Sequence, residues 1–201
     1  MLRRGRGRAP RQGTPSDVLV VGLGNPGDEF VRTRHNVGAD TVEILARRHG
    51  GSLKKGKERA RVTDVRIGAR RVTLAVPLTF MNDSGQAVAA LARRYGVEPA
   101  QIVIVHDELD LPTAALKLKS GGGLAGHNGL RSVQQHLHSD AFQRVRIGVD
   151  KPVSKERGAD HVLRRFSKRE RTEIEVTLEQ AADAVECIVT DGIDAAMNRF
   201  N

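Results

Sequence analysis

Apolar residues first run without interruption at Val18-Leu19-Val20-Val21, between Asp17 and Gly22. A short run with no polar alternation marks a strand covered on both faces. From Asn36 the spacing changes: Val37, Val42, Ile44 and Leu45 recur at roughly helical intervals up to the Gly50-Gly51 pair, which predicts a first helix. Alternation over residues 60–67 and 71–76, on either side of Gly68-Ala69-Arg70, predicts two strands joined as a hairpin. Asp83 or Ser84 can cap a second helix through Val88, Leu91 and Ala92, stopped at Gly96. Residues 101–106 read as another buried strand, residues 115–119 alternate, and helix returns over 130–137. A last strand over 142–149 and a long amphipathic helix over 168–190 complete the pattern. No repeat occurs. Because strands and helices intermingle while one strand pair is a hairpin, the expected fold class is α/β: a single domain with a mixed β-sheet sandwiched between helices.

Composition narrows this picture. The chain has 201 residues, 39% hydrophobic but only 3% aromatic, so the core must be built from Val, Leu, Ile and Ala. A lone cysteine, Cys187, cannot form an internal disulfide and, between Val185 and Ile188, reads as core. No stretch approaches the roughly 18 apolar residues of a membrane span, so no membrane partner is expected. Charge adds a division: Lys and Arg number 33 against 24 acids, a net +9, of which Arg3, Arg4, Arg6, Arg8 and Arg11 supply +5 with no acid in residues 1–16. That segment has almost nothing apolar to bury and lacks the apolar core of a secretory signal, so it reads as a disordered basic tail before a domain at 17–201. The remaining +4 is concentrated between residues 52 and 150, which suits a polyanion or simply a solvated surface.

Polar clusters sit at the ends of the predicted strands. Gly22-Leu23-Gly24-Asn25-Pro26-Gly27 matches the dinucleotide fingerprint formally, but the charged stretch from Asp28 to Arg34 follows where a packed helix should begin. It reads instead as a tight loop presenting Asn25, then delivering Thr33-Arg34-His35-Asn36 to a helix start. On its own segment Asn25 reads first as turn chemistry, and His35 as a cap or surface histidine. Thr79-Phe80-Met81-Asn82-Asp83-Ser84-Gly85 puts an exposed apolar pair beside an amide, a cradle for a flexible substrate or a helix start entering the core. His106-Asp107-Glu108-Leu109-Asp110 ends the strongest strand in carboxylates, where α/β sheets place their sites. Without a histidine at helical spacing or a cysteine pair, these acids make a poor metal set. Asp107 is better used to orient a histidine base, and Glu108 and Asp110 read as turn and surface acids. Gly121 to Gly129 forms a glycine loop opening a helix, with Asn128 as ligand or cap. On the flanking strands Lys117 and Lys119 share one face, as do Arg144 and Arg146; phosphate binding is favoured if those strands are neighbours beside the loop.

As a set, GLGNPG, TRHN, TFMNDSG, HDELDL, GGGLAGHNGLRS and FQRVRIGVDKP, in this order, resemble the bacterial-type peptidyl-tRNA hydrolase family over about residues 17 to 200. The resemblance implies an enzyme that hydrolyses the ester between a peptide and the 3′ ribose of tRNA, returning tRNA from aborted translation. Its partner is then the acceptor stem and CCA end of peptidyl-tRNA, and the expected state is a cytoplasmic monomer with no metal and no cofactor. It further implies His35 as general base on water, Asp107 as the carboxylate behind it and Asn25 as the residue sensing the acylated amine. Asn82 and Asn128 would hold substrate and water, Phe30, Phe80 and Met81 would line the peptide groove, and Lys117 and Arg146 would clamp the terminal phosphate. Phe30 stands where the family usually has tyrosine, and Leu124-Ala125 replaces a more polar or glycine-rich pair. The competing expectation is a non-catalytic RNA-binding protein on the same scaffold.

Overall fold

The computed structural model describes residues 14–152, 154 and 158–201. Its strands are β1 (Val18–Gly22), β2 (Lys54–Lys55), β3 (Ala60–Ile67), β4 (Arg70–Pro77), β5 (Ile102–Glu108), β6 (Leu116–Ser120) and β7 (Gln143–Gly148). The helices are α1 (Val37–Arg48), α2 (Ser84–Tyr95), α3 (Asn128–Leu137), α4 (Gly158–Val162), α5 (Lys168–Asp191) and α6 (Ile193–Phe200). All the strands join one sheet in the order β2-β3-β4-β1-β5-β7-β6. The central β4, β1, β5 and β7 run parallel, while β2, β3 and β6 pair antiparallel at the flanks. This is the expected mixed sheet, and the hairpin β3–β4 falls where alternation placed it.

The uninterrupted apolar runs are central because both their faces are covered. Every residue of β5 is buried. Along β1, Val20 joins the core formed with α1 and α5, whereas Leu19 and Val21 join the core formed with α2 and α3. Cys187 lies in the first of these, 6% exposed. Alternating side chains thus feed two separate cores, which is why helices cover both faces.

Two glycines set how closely α1 approaches the sheet. A Cβ on Gly22 would fall 2.2 Å from the Gly38 carbonyl oxygen, and one on Gly38 would fall 2.1 Å from that of Val105. Only a bare Cα fits there. The contact seats the start of α1 against β1 and β5, bringing the residues just before α1 to the end of β5. His35 and Asp107 come together this way.

Three elements escaped the sequence pattern. β2 is two lysines on an edge strand and carries no apolar signal. α4 has five residues, less than two turns. α6 continues the apolar spacing of α5 and is separated from it only by Gly192 at φ 89°. The boundary of the basic tail also moves. Residues 1–13 lie outside the described residues, but Ser16, assigned to the tail, is 5% exposed. Its Oγ lies 2.5 Å from Thr73 Oγ1, and its N–H donates to the Tyr95 carbonyl at 3.1 Å. Ser16 belongs to the folded unit because the chain is already tied to β4 and α2 there.

Candidate active site

At the carboxyl ends of β1, β4 and β5 a cleft of about 560 Å³ opens, within the size range of small-ligand sites. Asn25, Phe30, His35, Phe80, Met81, Asn82, Asp107 and Asn128 all line it. Lys117 and Arg146 do not. The residues expected to perform chemistry therefore gather in one place, and the two expected to hold phosphate stand outside it.

The centre is Asp107, 2% exposed at the end of β5. Its Oδ1 lies 2.8 Å from His35 Nδ1 and 2.9 Å from His127 Nε2. Burial alone would push this carboxyl up, but the charges and hydrogen bonds of the two histidines hold it well below the usual carboxylate range. An ionised carboxylate can only accept, so both histidines donate to it. His127 confirms the assignment from its other side: its Nδ1 accepts the Leu130 N–H at 3.3 Å, capping α3, so the proton sits on Nε2. His35, donating through Nδ1, keeps its lone pair on Nε2. No described protein group lies within hydrogen-bond distance of that atom. Burial opposes charge on His35, yet the Asp107 charge and hydrogen bond raise its pKa above the ordinary histidine value.

A third histidine lies beneath. His106 is fully buried and donates through Nδ1 to the Asp107 backbone carbonyl at 2.7 Å. Burial and the neighbouring His127 hold its pKa well below the ordinary value, so it is neutral packing against His127 at 5.1 Å between ring centroids. His35, Asp107 and His127 offer ligand atoms within 4.8 Å of one another, a spacing also open to a metal ion. Asp107 Oδ1 and the facing nitrogens of both histidines are already engaged in hydrogen bonds to one another, which makes the trio a proton network as it stands.

Asn25 is fixed by Asn36, to which the sequence assigned no role, and by the Met81 backbone. Its N–H donates to Asn36 Oδ1 and its carbonyl accepts from Asn36 Nδ2, each at 2.9 Å, while its own Oδ1 accepts the Met81 N–H at 2.7 Å. Its Nδ2 is thereby left to donate into the cleft. The loop leads into a short 3-10 helix at Asp28–Phe30 and not into a packed α-helix, so the fingerprint match has no dinucleotide context. Phe80 is 61% exposed and meets Phe30 edge-on at 6.4 Å, but Met81, expected to be its exposed partner, is 3% exposed. Its Sδ packs against Gly129, where a Cβ would approach it to 2.4 Å, so Met81 serves as the floor of the cleft. Asn128 is not the cap of α3, since His127 takes that role; its amide stays exposed.

The basic strands are neighbours beside the glycine loop, the condition set for phosphate binding. Lys117 stands opposite Arg146, and Lys119 opposite Arg144. Their heads differ. Lys117 Nζ donates to the Asn201 carbonyl, and Arg144, 1% exposed, donates to the Gly121 carbonyl at 2.8 Å. Arg146 Nε donates to Glu108 Oε2 at 3.1 Å. Glu108 is therefore not a surface acid: it is 3% exposed, accepts the Asp110 N–H in the turn through Oε1 at 3.0 Å, and is the counter-charge of Arg146. Lys119 is exposed with no ion pair among the described residues.

No serine, threonine, cysteine or lysine lines the cleft among the described residues. A histidine paired with a buried carboxylate, facing side-chain amides over an apolar floor, fits the hydrolase class. Comparison narrows the class to one family. The sequence profile of the family described as peptidyl-tRNA hydrolase matches residues 19–201. The chain is 50% identical over 182 residues to peptidyl-tRNA hydrolase of Mycolicibacterium vanbaalenii, covering 90% of this chain and 95% of that one. It is 46% identical over 183 residues to that of Frankia alni, covering 91% and 93%. The crystal structure of peptidyl-tRNA hydrolase from Acinetobacter baumannii superposes with a TM-score of 0.88 at 40% identity, over 94% of this chain and 97% of that chain. This chain belongs to the peptidyl-tRNA hydrolase family.

Proposed function

We propose that the protein cleaves the ester between a peptide and the terminal ribose of tRNA by general-base attack of water, with His35 as the base. The observation that carries this reading is that one Asp107 oxygen lies within hydrogen-bond distance of both His35 Nδ1 and His127 Nε2, which supports a His35 whose Nε2 is left as the base in the cleft. Nε2 removes a proton from water as its oxygen bonds to the ester carbonyl carbon. Amide N–H groups of Asn82 and Asn128 donate to the oxyanion that develops. The imidazolium, stabilised by Asp107, then returns its proton to the ribose oxygen as the C–O bond breaks. The products are a free carboxylic acid and tRNA with a free hydroxyl. An ester leaving group is good enough for this chemistry to run without a covalent intermediate. Asn25 Nδ2 binds the acylated amine end, and Phe30, Phe80 and Met81 support the peptide.

The acceptor stem lies along the β6–β7 edge, where Arg146 and the unpaired Lys119 offer charge to the terminal phosphate and Lys117 supports them from beside Asn201. The working unit is a monomer, and the site of action is the cytoplasm, where tRNA is recycled. No described helix is long and apolar enough to cross a membrane.

Incubation of the purified protein with N-acylated aminoacyl-tRNA tests the reading: it should release free tRNA with turnover. Stable binding without release would instead favour the RNA-binding alternative. In the same assay, Arg146→Gln should raise KM with kcat nearly unchanged, and the slope of affinity against salt should fall by about one counterion.

A further inference from the structure

The residue immediately before the base does no chemistry in the mechanism above, yet it is among the most heavily bonded side chains near the cleft. Arg34 is 8% exposed. Its Nη1 donates to the Arg165 carbonyl at 2.8 Å and the Arg164 carbonyl at 3.4 Å, and its Nη2 donates to Glu170 Oε1 at 2.7 Å. The guanidinium carbon lies 4.8 Å from the centre of the Phe166 ring. The backbone reinforces this: the Arg34 N–H donates to the Arg164 carbonyl at 3.0 Å, and Thr33 bridges Arg165 in antiparallel fashion.

These contacts fall on the segment joining α4 to α5 and on the first turn of α5. Glu170 is itself immobilised, since it closes a capping box with Ser167 at the start of α5. The other side of the joined segment is α4, whose Ala159, Val162 and Leu163 line the cleft. A helix of five residues cannot hold its own position by internal hydrogen bonds. It is held from outside, by His161 Nε2 donating to the Val149 carbonyl at 2.9 Å and by the Arg34 fork. Neither anchor touches the ester-cleaving groups. The wall that α4 presents is uncharged, which fits peptide and not phosphate.

We infer that Arg34 is a positioning residue that fixes α4 as the peptide-side wall of the cleft, so that adjacent residues of the short 3-10 turn Arg34–Asn36 place the base and the wall. This rests on the hydrolytic reading above. Planarity matters to the role, because one guanidinium must reach two carbonyls and a carboxylate together, which a lysine cannot do. Losing the fork leaves the Arg165 carbonyl and Glu170 Oε1 without this donor, with only the Arg34 backbone N–H still on the Arg164 carbonyl, and lets the wall shift. The cost should then appear in binding of the peptide more than in chemistry, and should grow with peptide length.

Arg34→Met and Arg34→Lys test this against tRNA carrying a single N-acetylated amino acid and tRNA carrying an N-acetylated tripeptide. For Arg34→Met, KM for the tripeptidyl ester should rise roughly tenfold and clearly more than for the single residue, with kcat kept within about threefold. Arg34→Lys should fall between it and the parent, and serves as the readout should Arg34→Met fold poorly. Equal KM changes on both substrates, or a loss confined to kcat, would overturn the inference. A parent protein that releases no tRNA from either substrate would instead overturn the hydrolytic reading on which it rests.

Discussion

His35→Ala should lower single-turnover release of tRNA about 10³-fold, in the middle of the range that a positioned general base contributes. The fold should survive, because the His35 side chain makes one hydrogen bond, to Asp107, and Asp107 keeps its second donor in His127. Among the described residues neither neighbouring histidine can substitute. Both ring nitrogens of His127 are engaged, Nδ1 by the Leu130 N–H and Nε2 by Asp107. His106 is fully buried under it. In the proposed mechanism substrate is held by the amides, the apolar cleft and the basic edge, so KM should change little. A loss smaller than tenfold, measured on protein with an unchanged melting transition, would show that another group removes the proton.

Asp107→Asn should cost about 10²-fold or more in the same assay, by a different route. The carboxylate accepts two N–H groups at one oxygen, a pattern that needs an acceptor and full negative charge. An asparagine that turns its Nδ2 toward the histidines forces His35 to accept through Nδ1, which moves the ring proton to Nε2 and removes the base. An asparagine that turns its oxygen there keeps the tautomer but loses the charge that stabilises the imidazolium. Either way the rate falls. The variant should also shift the titration of His35: without the Asp107 charge only burial acts on it, and its pKa should fall below that of the parent. Retained activity with an unshifted pH profile would show that Asp107 serves packing alone.

The parts of the site legible in the sequence were those whose chemistry is written in local spacing. A polar tail on an apolar strand marked Asp107 as an orienting carboxylate, whereas Asn25 and His35 read on their own segments as turn and cap residues and took a role only from the set of motifs. His127 was not legible as a partner of Asp107, since twenty residues and a glycine loop separate them. Its spacing to Leu130 is, in hindsight, that of a helix cap, and a histidine in that position has its tautomer fixed. Glu108 was misread because acids at a strand end usually meet water; only the register of β5 on β7 reveals that Arg146 lies within reach of it. Asn36 and Arg34 were hidden for the same reason, as their partners lie 11 and about 131 residues away. The central strands were legible because burial on both faces requires unbroken apolar runs, while the two-residue edge strand and the five-residue helix carry too few positions for any period to show.

The central claim is that a neutral His35, held by Asp107, removes the proton from water. Its most direct test is the pH dependence of kcat/KM for the parent protein. Because Asp107 raises the pKa of His35, the protonated and inactive form persists to higher pH than for a free imidazole. Activity should therefore be lost as pH falls, along a single limb of unit slope whose midpoint lies above about 6.5. A kcat/KM that stays flat between about pH 5 and 8 would contradict the assignment of His35 as the base.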